Sequence, residues 1–512
     1  MRPNFQEYNQ QQNWLFPPSI EELIPQDHPV RIVNGVIEQI NLKLLTEAYS
    51  KEGRPSYHPK MMLKVMVYAY MDNIYSSRKI EKALRENINF MWLSGNQMVD
   101  HNTIARFRSK RLKEAFKDIF KQVVMLLAEE GLVTLKEVYT DGTKIESVAG
   151  RYTFVWGKSI QNYKENMKEQ LEKMWNYAQA VAQEEDDDTD PPPGFKEISP
   201  EKIKKTVEKI ERKIKNNPKA SPKAISKLNY IKRNYAAKLE KYEKQEKILG
   251  KRSSYSKTDP AATFMRMKDD HLGNGQLKPA YNVQISTENQ IILHYSIHQT
   301  PNDGVTLKSH LESFEYLYKY LPDTLTADAG YGSEENYEYL EEKGVQTYVK
   351  YSTFDREQGL SRRKRKQQTG FKKEDLYYNE EHDFYVCPMG QRMEKKEAFI
   401  SKTKSGYPQT IHVYEAGNCE GCPLRSVCYK GHNNRRIERR PDLERHKHQV
   451  RENLLSDVGK IYRKRRSVDV EPVFGHIKYN RGFDRFTHRG LEKVEIEFGL
   501  HALANNLKKL SA

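Results

Sequence analysis

Leu135-Lys-Glu-Val-Tyr-Thr-Asp141 and, much later in the chain, Asp323-Thr-Leu-Thr-Ala-Asp328 are two short runs that each close on an aspartate. Their β-branched and aromatic residues make both read as strands. Gly142 follows the first, where a turn or bulge fits. Ala329-Gly330-Tyr331-Gly332 follows the second and leads into a predicted helix from about Ser333 to Lys343. Between the two runs, Ala280–Ser286, a Thr287-Glu-Asn289 turn and Gln290–Ile297 read as a β-hairpin. Thr306–Tyr320 reads as a helix, and Val345–Lys350 as a further strand. That order gives an α/β fold with a mixed sheet and acidic residues at strand ends.

On the N-terminal side, residues up to 130 read as helical. Pro59 sits at a helix start and Met62, Val65, Met66 and Ala69 follow at helical spacing. A second helix is predicted from about Ser77 to Asn87. Asp100 or Asn102 then caps a helix that carries Arg106, Arg108, Lys110 and Arg111. This is either a helix-turn-helix DNA-recognition element or an ordinary bundle with a solvated basic face.

Residues 158–250 differ in kind. Met167, Leu171, Met174, Ala178 and Val181, then Ile203, Val207, Ile210 and Ile214, mark two amphipathic helices with charged outer faces. The acidic run Glu184–Pro193, closed by three prolines, reads as a disordered loop between them. Ser199-Pro200 and Ser221-Pro222 are helix starts. A helical hairpin or small bundle inserted into a larger domain follows, serving as a spacer, a dimer contact or a DNA clamp. Glu357 to His448 reads as basic and irregular, and Ile496, Leu500, Leu503, Leu507 and Leu510 mark a closing helix that packs on the core.

The 512 residues carry 86 Lys and Arg against 70 Asp and Glu, a net charge of +16. A surplus of that size favours a polyanionic partner such as nucleic acid. Met1–Phe16 lacks a cationic start followed by an apolar core, so a signal peptide is not expected. The apolar-rich run Met61–Met71 is too short to span a bilayer. The expectation is a cytoplasmic, nucleoid-associated protein without a membrane partner.

Three carboxylates stand out. Asp141 and Asp328 end strands, and Glu471 opens the helical Val470-Glu-Pro-Val-Phe-Gly-His-Ile-Lys478. In α/β sheets, functional groups gather just beyond strand ends. A cage of hard oxygen ligands suits Mg²⁺ or Mn²⁺. Two such ions, roughly 3.5–4 Å apart, are the usual device for phosphodiester transfer. Pro472 places Glu471 in the first turn of its helix, because proline removes a backbone donor.

Three segments resemble the DDE transposases of bacterial insertion sequences. They are Tyr139–Glu146 with Arg151–Lys158, Ala327–Tyr331, and Val470–Phe483. Gly53-Arg-Pro55 and Asp100–Phe107 are similar to the N-terminal transposase domain of the subgroup called IS-eleven-eighty-two, and the late cysteines fit it too. The resemblance implies an RNase H-like core with Asp141, Asp328 and Glu471 as catalytic metal ligands. It implies double-stranded DNA, both terminal inverted repeats and target, as partner, and a homodimer that pairs the element ends. Lys478, seven positions after Glu471, would contact a phosphate. Tyr462 and Arg466 lie near the expected tyrosine and arginine but off the commonest spacing. Arg362, Arg363, Lys364 and Arg365 form a further DNA-binding run. The implied division is an N-terminal DNA-binding domain at 1–130 and a core split over 131–157, 256–351 and 456–512. A charged helical insertion fills 158–255 and a basic cysteine-containing insertion fills 352–455. Two rival functions are a domesticated DNA-binding protein without catalysis and an RNase H-like nuclease without strand transfer.

Cys387, Cys419, Cys422 and Cys428 are the only cysteines. Four thiolates suit a closed structural Zn²⁺ site, with free structural cysteines and an iron–sulfur site as the alternatives.

Overall fold

The computed structural model describes residues 19–47, 49, 55–182, 194–195, 198–214, 217, 220–267, 275–359 and 371–510. The start of the chain, the acidic Glu184–Pro193 run and the basic Arg362–Lys366 run lie outside the described residues.

The N-terminal part is helical: α1 (Pro29–Gln39), α2 (Lys43–Glu47), α3 (Pro59–Met71), α4 (Ser77–Glu86), α5 (Ile88–Ser94), α6 (His101–Arg106) and α7 (Leu112–Glu129). Pro59 takes the first helical position, and α3 is buried from Met62 to Met71. Asp100 caps α6, its Oδ1 accepting from the N–H groups of Asn102 and Thr103 at 2.9 and 3.1 Å. A π-helical turn, Phe107–Arg111, joins α6 to α7.

Next come β1 (Glu137–Glu146), β2 (Phe154–Trp156), α8 (Gly157–Ala182), α9 (Pro200–Ile214), α10 (Pro222–Leu249), β3 (Ser254–Ser256), β4 (Thr263–Arg266), β5 (Leu277–Glu288) and β6 (Ile291–His298). Helices α8–α10 enclose a core of their own, in which Met167, Leu171, Met174, Ala178, Ile203, Val207, Ile210 and Ile214 lie as their spacing predicts, joined by Trp175 and by Leu228, Ile231, Tyr235 and Leu239 of α10. The chain continues with α11 (Leu307–Tyr318), β7 (Thr324–Ala327), α12 (Glu334–Glu342), β8 (Gln346–Val349) and α13 (Phe354–Glu357).

The main sheet runs β4-β5-β1-β7-β8, with β6 also on β5. β1, β7 and β8 are parallel; the β4, β5 and β6 pairings are antiparallel. The fold is therefore mixed α/β with a helical N-terminal region. The β5–β6 turn falls at Asn289 and Gln290, both at positive φ (55° and 63°), rather than at Thr287–Asn289. That backbone matches the right-handed twist of a hairpin.

Sequence and structure differ at β1. The strand was expected to end at Asp141, but it continues to Glu146 because β5 pairs with it along Tyr139–Glu146. Only the parallel ladder with β7 stops, at Thr140↔Ala327.

Residues 357–448, expected to be irregular, hold a second, five-stranded sheet. It is built from β9 (Tyr378–Asn379), β10 (Phe384–Val386), β11 (Arg392–Lys402), β12 (Pro408–Ala416) and β13 (Arg436–Arg439), with α14 (Arg425–Cys428) before β13. Alternation in β11 was masked because that strand is largely exposed on both faces.

The chain ends in α15 (Pro441–Leu455), α16 (Asp457–Gly475) and α17 (Leu491–Leu510). α17 is buried almost all round from Val494 to Leu507, so it is a central helix rather than a one-faced cover. Its Asn506 side chain bonds both the N–H and C=O of Ile292, each at 2.8 Å, and so satisfies the free edge of β6.

α16 corrects a second expectation. Glu471 lies near the C-terminal end of this helix, not in its first turn, and Pro472 is inside it. Proline leaves the carbonyl four residues earlier without its helical donor. That carbonyl, Val468 O, accepts instead from Gln290 Nε2 at 2.8 Å. Asp469 adds a second tie, its Oδ1 accepting from Thr287 Oγ1 and Gln290 N at 2.7 and 3.2 Å. The β5–β6 turn thus both permits the proline and fixes the helix that carries Glu471.

Candidate catalytic carboxylate site

Asp141 and Asp328 each follow the last pair of the parallel ladder, Thr140↔Ala327, so they leave neighbouring strands side by side. Asp328 caps a short 3₁₀ turn, Ala329–Tyr331, its Oδ1 accepting from Gly330 N at 2.8 Å. Asp141 Oδ1 accepts from Gly142 N at 2.8 Å. A Cβ at position 142 would lie 2.3 Å from Gln284 Nε2 and 2.9 Å from Asp303 Oδ1. Close approach of these two side chains across the sheet, not a bulge, therefore favours glycine here.

Glu471 reaches the same region through Arg466. Arg466 Nη2 donates to Glu471 Oε1 at 2.8 Å, and Nη1 stands 3.8 Å from Asp141 Oδ2. The Arg466 and Asp141 side chains are 17% and 13% exposed, whereas Glu471 is 51% exposed. One guanidinium thus bridges two of the three carboxylates, and its Nη1 is buried without a hydrogen-bond partner. Tyr331 lies within the electrostatic reach of both Asp141 and Asp328. Its fully buried hydroxyl donates to Gln284 Oε1. Burial first, then the negative charges of Asp303, Asp141 and Asp328, hold its proton on well above the ordinary tyrosine range.

Asp303 belongs to this neighbourhood and was not singled out in the sequence. Its Oδ1 accepts from Asn282 Nδ2 at 2.7 Å and Gln284 Nε2 at 3.2 Å. The only local signal is Asn302-Asp303-Gly304, a turn that also reads as ordinary loop chemistry.

The remaining candidates fall into different settings. Lys478 sits in a π-helical turn, His476–Asn480, that extends α16 beyond Glu471. Tyr462 is packed edge-on against Tyr348 and Tyr139, at 4.8 and 6.3 Å between rings, so its face is committed to the protein. Arg465 clamps α16 to the hairpin, donating to Asn289 Oδ1 at 2.6 Å. Arg106 is exposed, but Arg108 is 6% exposed and donates from Nη1 to Tyr70 Oη and Tyr75 O at 3.0 and 2.7 Å. It does not project from an open helical face.

All four cysteines line one small cavity and are free thiols. Arg435 Nη1 donates to Cys428 Sγ at 2.8 Å, and Arg435 N to Cys419 Sγ at 3.4 Å. Among the described residues, as their side chains stand, no three His, Cys, Asp or Glu groups converge closely enough to hold a metal ion. The donor chemistry nevertheless fits at both places. The carboxylate set is all hard oxygen, and the unsatisfied cationic nitrogen between Asp141 and Glu471 lies where positive charge is wanted. The thiol set is all soft sulfur.

No helix among the described residues is long and apolar enough to cross a membrane. Comparison with known families gives two matches. A model described as a transposase DDE domain matches residues 386–511, and one described as a transposase domain (DUF772) matches residues 18–110. The first contains Glu471, Lys478 and the four cysteines; the second contains Arg106 and Arg108; Asp141 and Asp328 lie between them. No curated protein and no solved structure matches the chain.

Proposed function

We propose that this chain, similar to a transposase DDE domain over residues 386–511 and to a transposase domain over residues 18–110, is a DDE transposase that binds the ends of an insertion sequence, cuts there and joins the freed strand to target DNA. The observation that carries the reading is the exit of Asp141 and Asp328 from adjacent parallel strands, with Glu471 tied to Asp141 through Arg466.

In this reading Asp141, Asp328 and Glu471 hold Mg²⁺ or Mn²⁺ on an RNase H-like core. Bound divalent ions would acidify the attacking hydroxyl and stabilise the leaving oxygen. The chain's own groups do the rest. In the first step a water oxygen bonds to the phosphorus at the element end, the 3′-oxygen leaves and takes up a proton. In the second, that 3′-oxygen bonds to a target phosphorus and the target's own 3′-oxygen leaves. The β5–β6 turn holds α16, so Glu471 keeps its register against Asp141. Arg466 neutralises the two carboxylates in the free enzyme, and Lys478 contacts a phosphate near the scissile bond. Arg106 and the run Arg362–Arg365 add phosphate contacts, and a homodimer pairs the ends. The four cysteines hold a structural Zn²⁺.

Labelled element ends test this. Asp141→Ala is expected to lower cleavage by more than about a thousandfold and leave duplex binding intact. Cleavage at the wild-type rate would remove Asp141 from the site. Hydrolysed ends without joined product would favour a nuclease, and a shifted but uncut duplex with wild-type protein would favour a binder.

A further inference from the structure

A cleft of about 470 Å³ opens where the N-terminal helices meet the loop before α17. Ser76, Ser77 and Lys79 line one wall, Arg108 the floor, and Thr487 and His488 the other wall.

Two independent features point to one kind of ligand. The first is the start of α4, ten residues long. Its N-cap Ser76 makes no side-chain cap, and its first turn has no acidic residue. The leading N–H groups of a helix lack internal partners and carry partial positive charge, a setting that favours anions. The second is Arg108. It is 94% buried by its 6% exposure, lines this cleft, and its Nε has no hydrogen-bond partner. That nitrogen is enclosed by protein, so a ligand in the cleft would meet Arg108 as a buried positive charge; among the described residues no carboxylate forms an ion pair with it, and a buried charge without a counter-ion is costly. Arg481 is 4% exposed with Nε and Nη1 unpartnered, and His501, kept neutral by burial first, feels the charges of both Arg481 and Arg108. Glu497, a buried carboxylate nearby, is committed to Thr487 and His488. The floor therefore carries excess positive charge.

The cleft also adjoins the catalytic helix extension. Tyr75 donates its hydroxyl to Arg481 O at 2.9 Å, three residues after Lys478.

We propose that this cleft binds a phosphate group, and that in the working enzyme the phosphate belongs to the DNA backbone. The identity of the phosphate's source rests on the transposase reading; the anion site itself does not. Arg108 then acts from the floor of a preformed pocket rather than from a recognition face. A phosphate held there would fix the duplex relative to α16 without reading bases.

The test uses the full chain with two probes. Ser77→Glu with Lys79→Ala places a negative charge at the mouth, and an acid in the first turn suits α4, so folding is preserved. Lys79→Ala alone serves as the milder variant. With a random-sequence DNA duplex, the double variant is expected to bind roughly tenfold more weakly, with a salt slope about one unit shallower. With inorganic phosphate against chloride at equal ionic strength, wild type is expected to gain thermal stability and the double variant not. DNA affinity, salt slope and phosphate response all unchanged in the double variant would overturn the proposal. Phosphate stabilisation of wild type alone, without duplex binding, would keep the site, assign it a free phosphate and count against the DNA reading. Neither probe acting on wild type would overturn both.

Discussion

The two sheets of this protein place their functional side chains by opposite means. In the main sheet, backbone pairing does the work. Asp141 and Asp328 are set by ladders on both sides of β1, over a core in which Val283, Ile285, Leu325 and Val349 are fully buried. Among the described residues, the small sheet has a much smaller core, a cluster of Tyr385, Met393, Tyr414, Ala416 and Ile437, with Phe384, Ile411 and Val413 also buried on its strands. Its cysteines sit outside the strands, three on loops and Cys428 at the end of α14. A core that small is of the size that a crosslink helps to hold. Asp141 and Asp328 thus take their places from paired strands alone, whereas a crosslink among the cysteines would add most to the small sheet.

Breaking the staple should give the largest effect. Cys422→Ser is expected to abolish hydrogen-exchange protection across β9–β13 and leave β1, β5 and β7 protected. Full retention in β9–β13 would mean that the cysteines are merely structural thiols. Gly142→Ala attacks the other sheet through its own tight packing. The new methyl must displace Gln284 or Asp303, costing about 1–3 kcal/mol in urea unfolding. A neutral result would show that the cross-sheet contact has slack.

A smaller effect should appear with pH. His298 is pushed down to about 4 by burial, with Asp303 opposing. The native state therefore keeps it neutral while the unfolded chain takes up a proton below its ordinary value. Stability from this group is full above about pH 6.5 and falls as pH drops toward 4, by at most about 1.4 kcal/mol per unit. His298→Asn should flatten the stability–pH curve in that window; an unchanged curve would mean that His298 is solvated. The smallest effect is expected from Arg466→Gln. Glu471 is half exposed, so stability should change by less than about 1 kcal/mol, most at low salt. A larger loss would make Arg466 a structural keystone rather than a counter-charge.

Much of this was legible in the sequence. Alternation and punctuation gave the strands around Asp141 and Asp328, and helical spacing gave the core of α8–α10 and the packing of α17. What escaped depends on partners distant in the chain. Nothing near Gly142 says that β5 will extend β1 past it. Pro472 looks like a helix start until Gln290 is seen to bond Val468 O. Arg108 looks solvent-facing until Tyr70 and Tyr75 close over it. Asp303 becomes part of the site only through Asn282 and Gln284, on a strand paired with β1.

The central claim is that Asp141, Asp328 and Glu471 share one ionic centre. Fe²⁺ loaded in place of Mg²⁺, with ascorbate and peroxide, generates radicals that cut the nearest backbone. The account requires cuts near residues 141, 328 and 471 together, all lost in Asp141→Ala. Cutting near 141 and 328 that spares the α16 segment would contradict it.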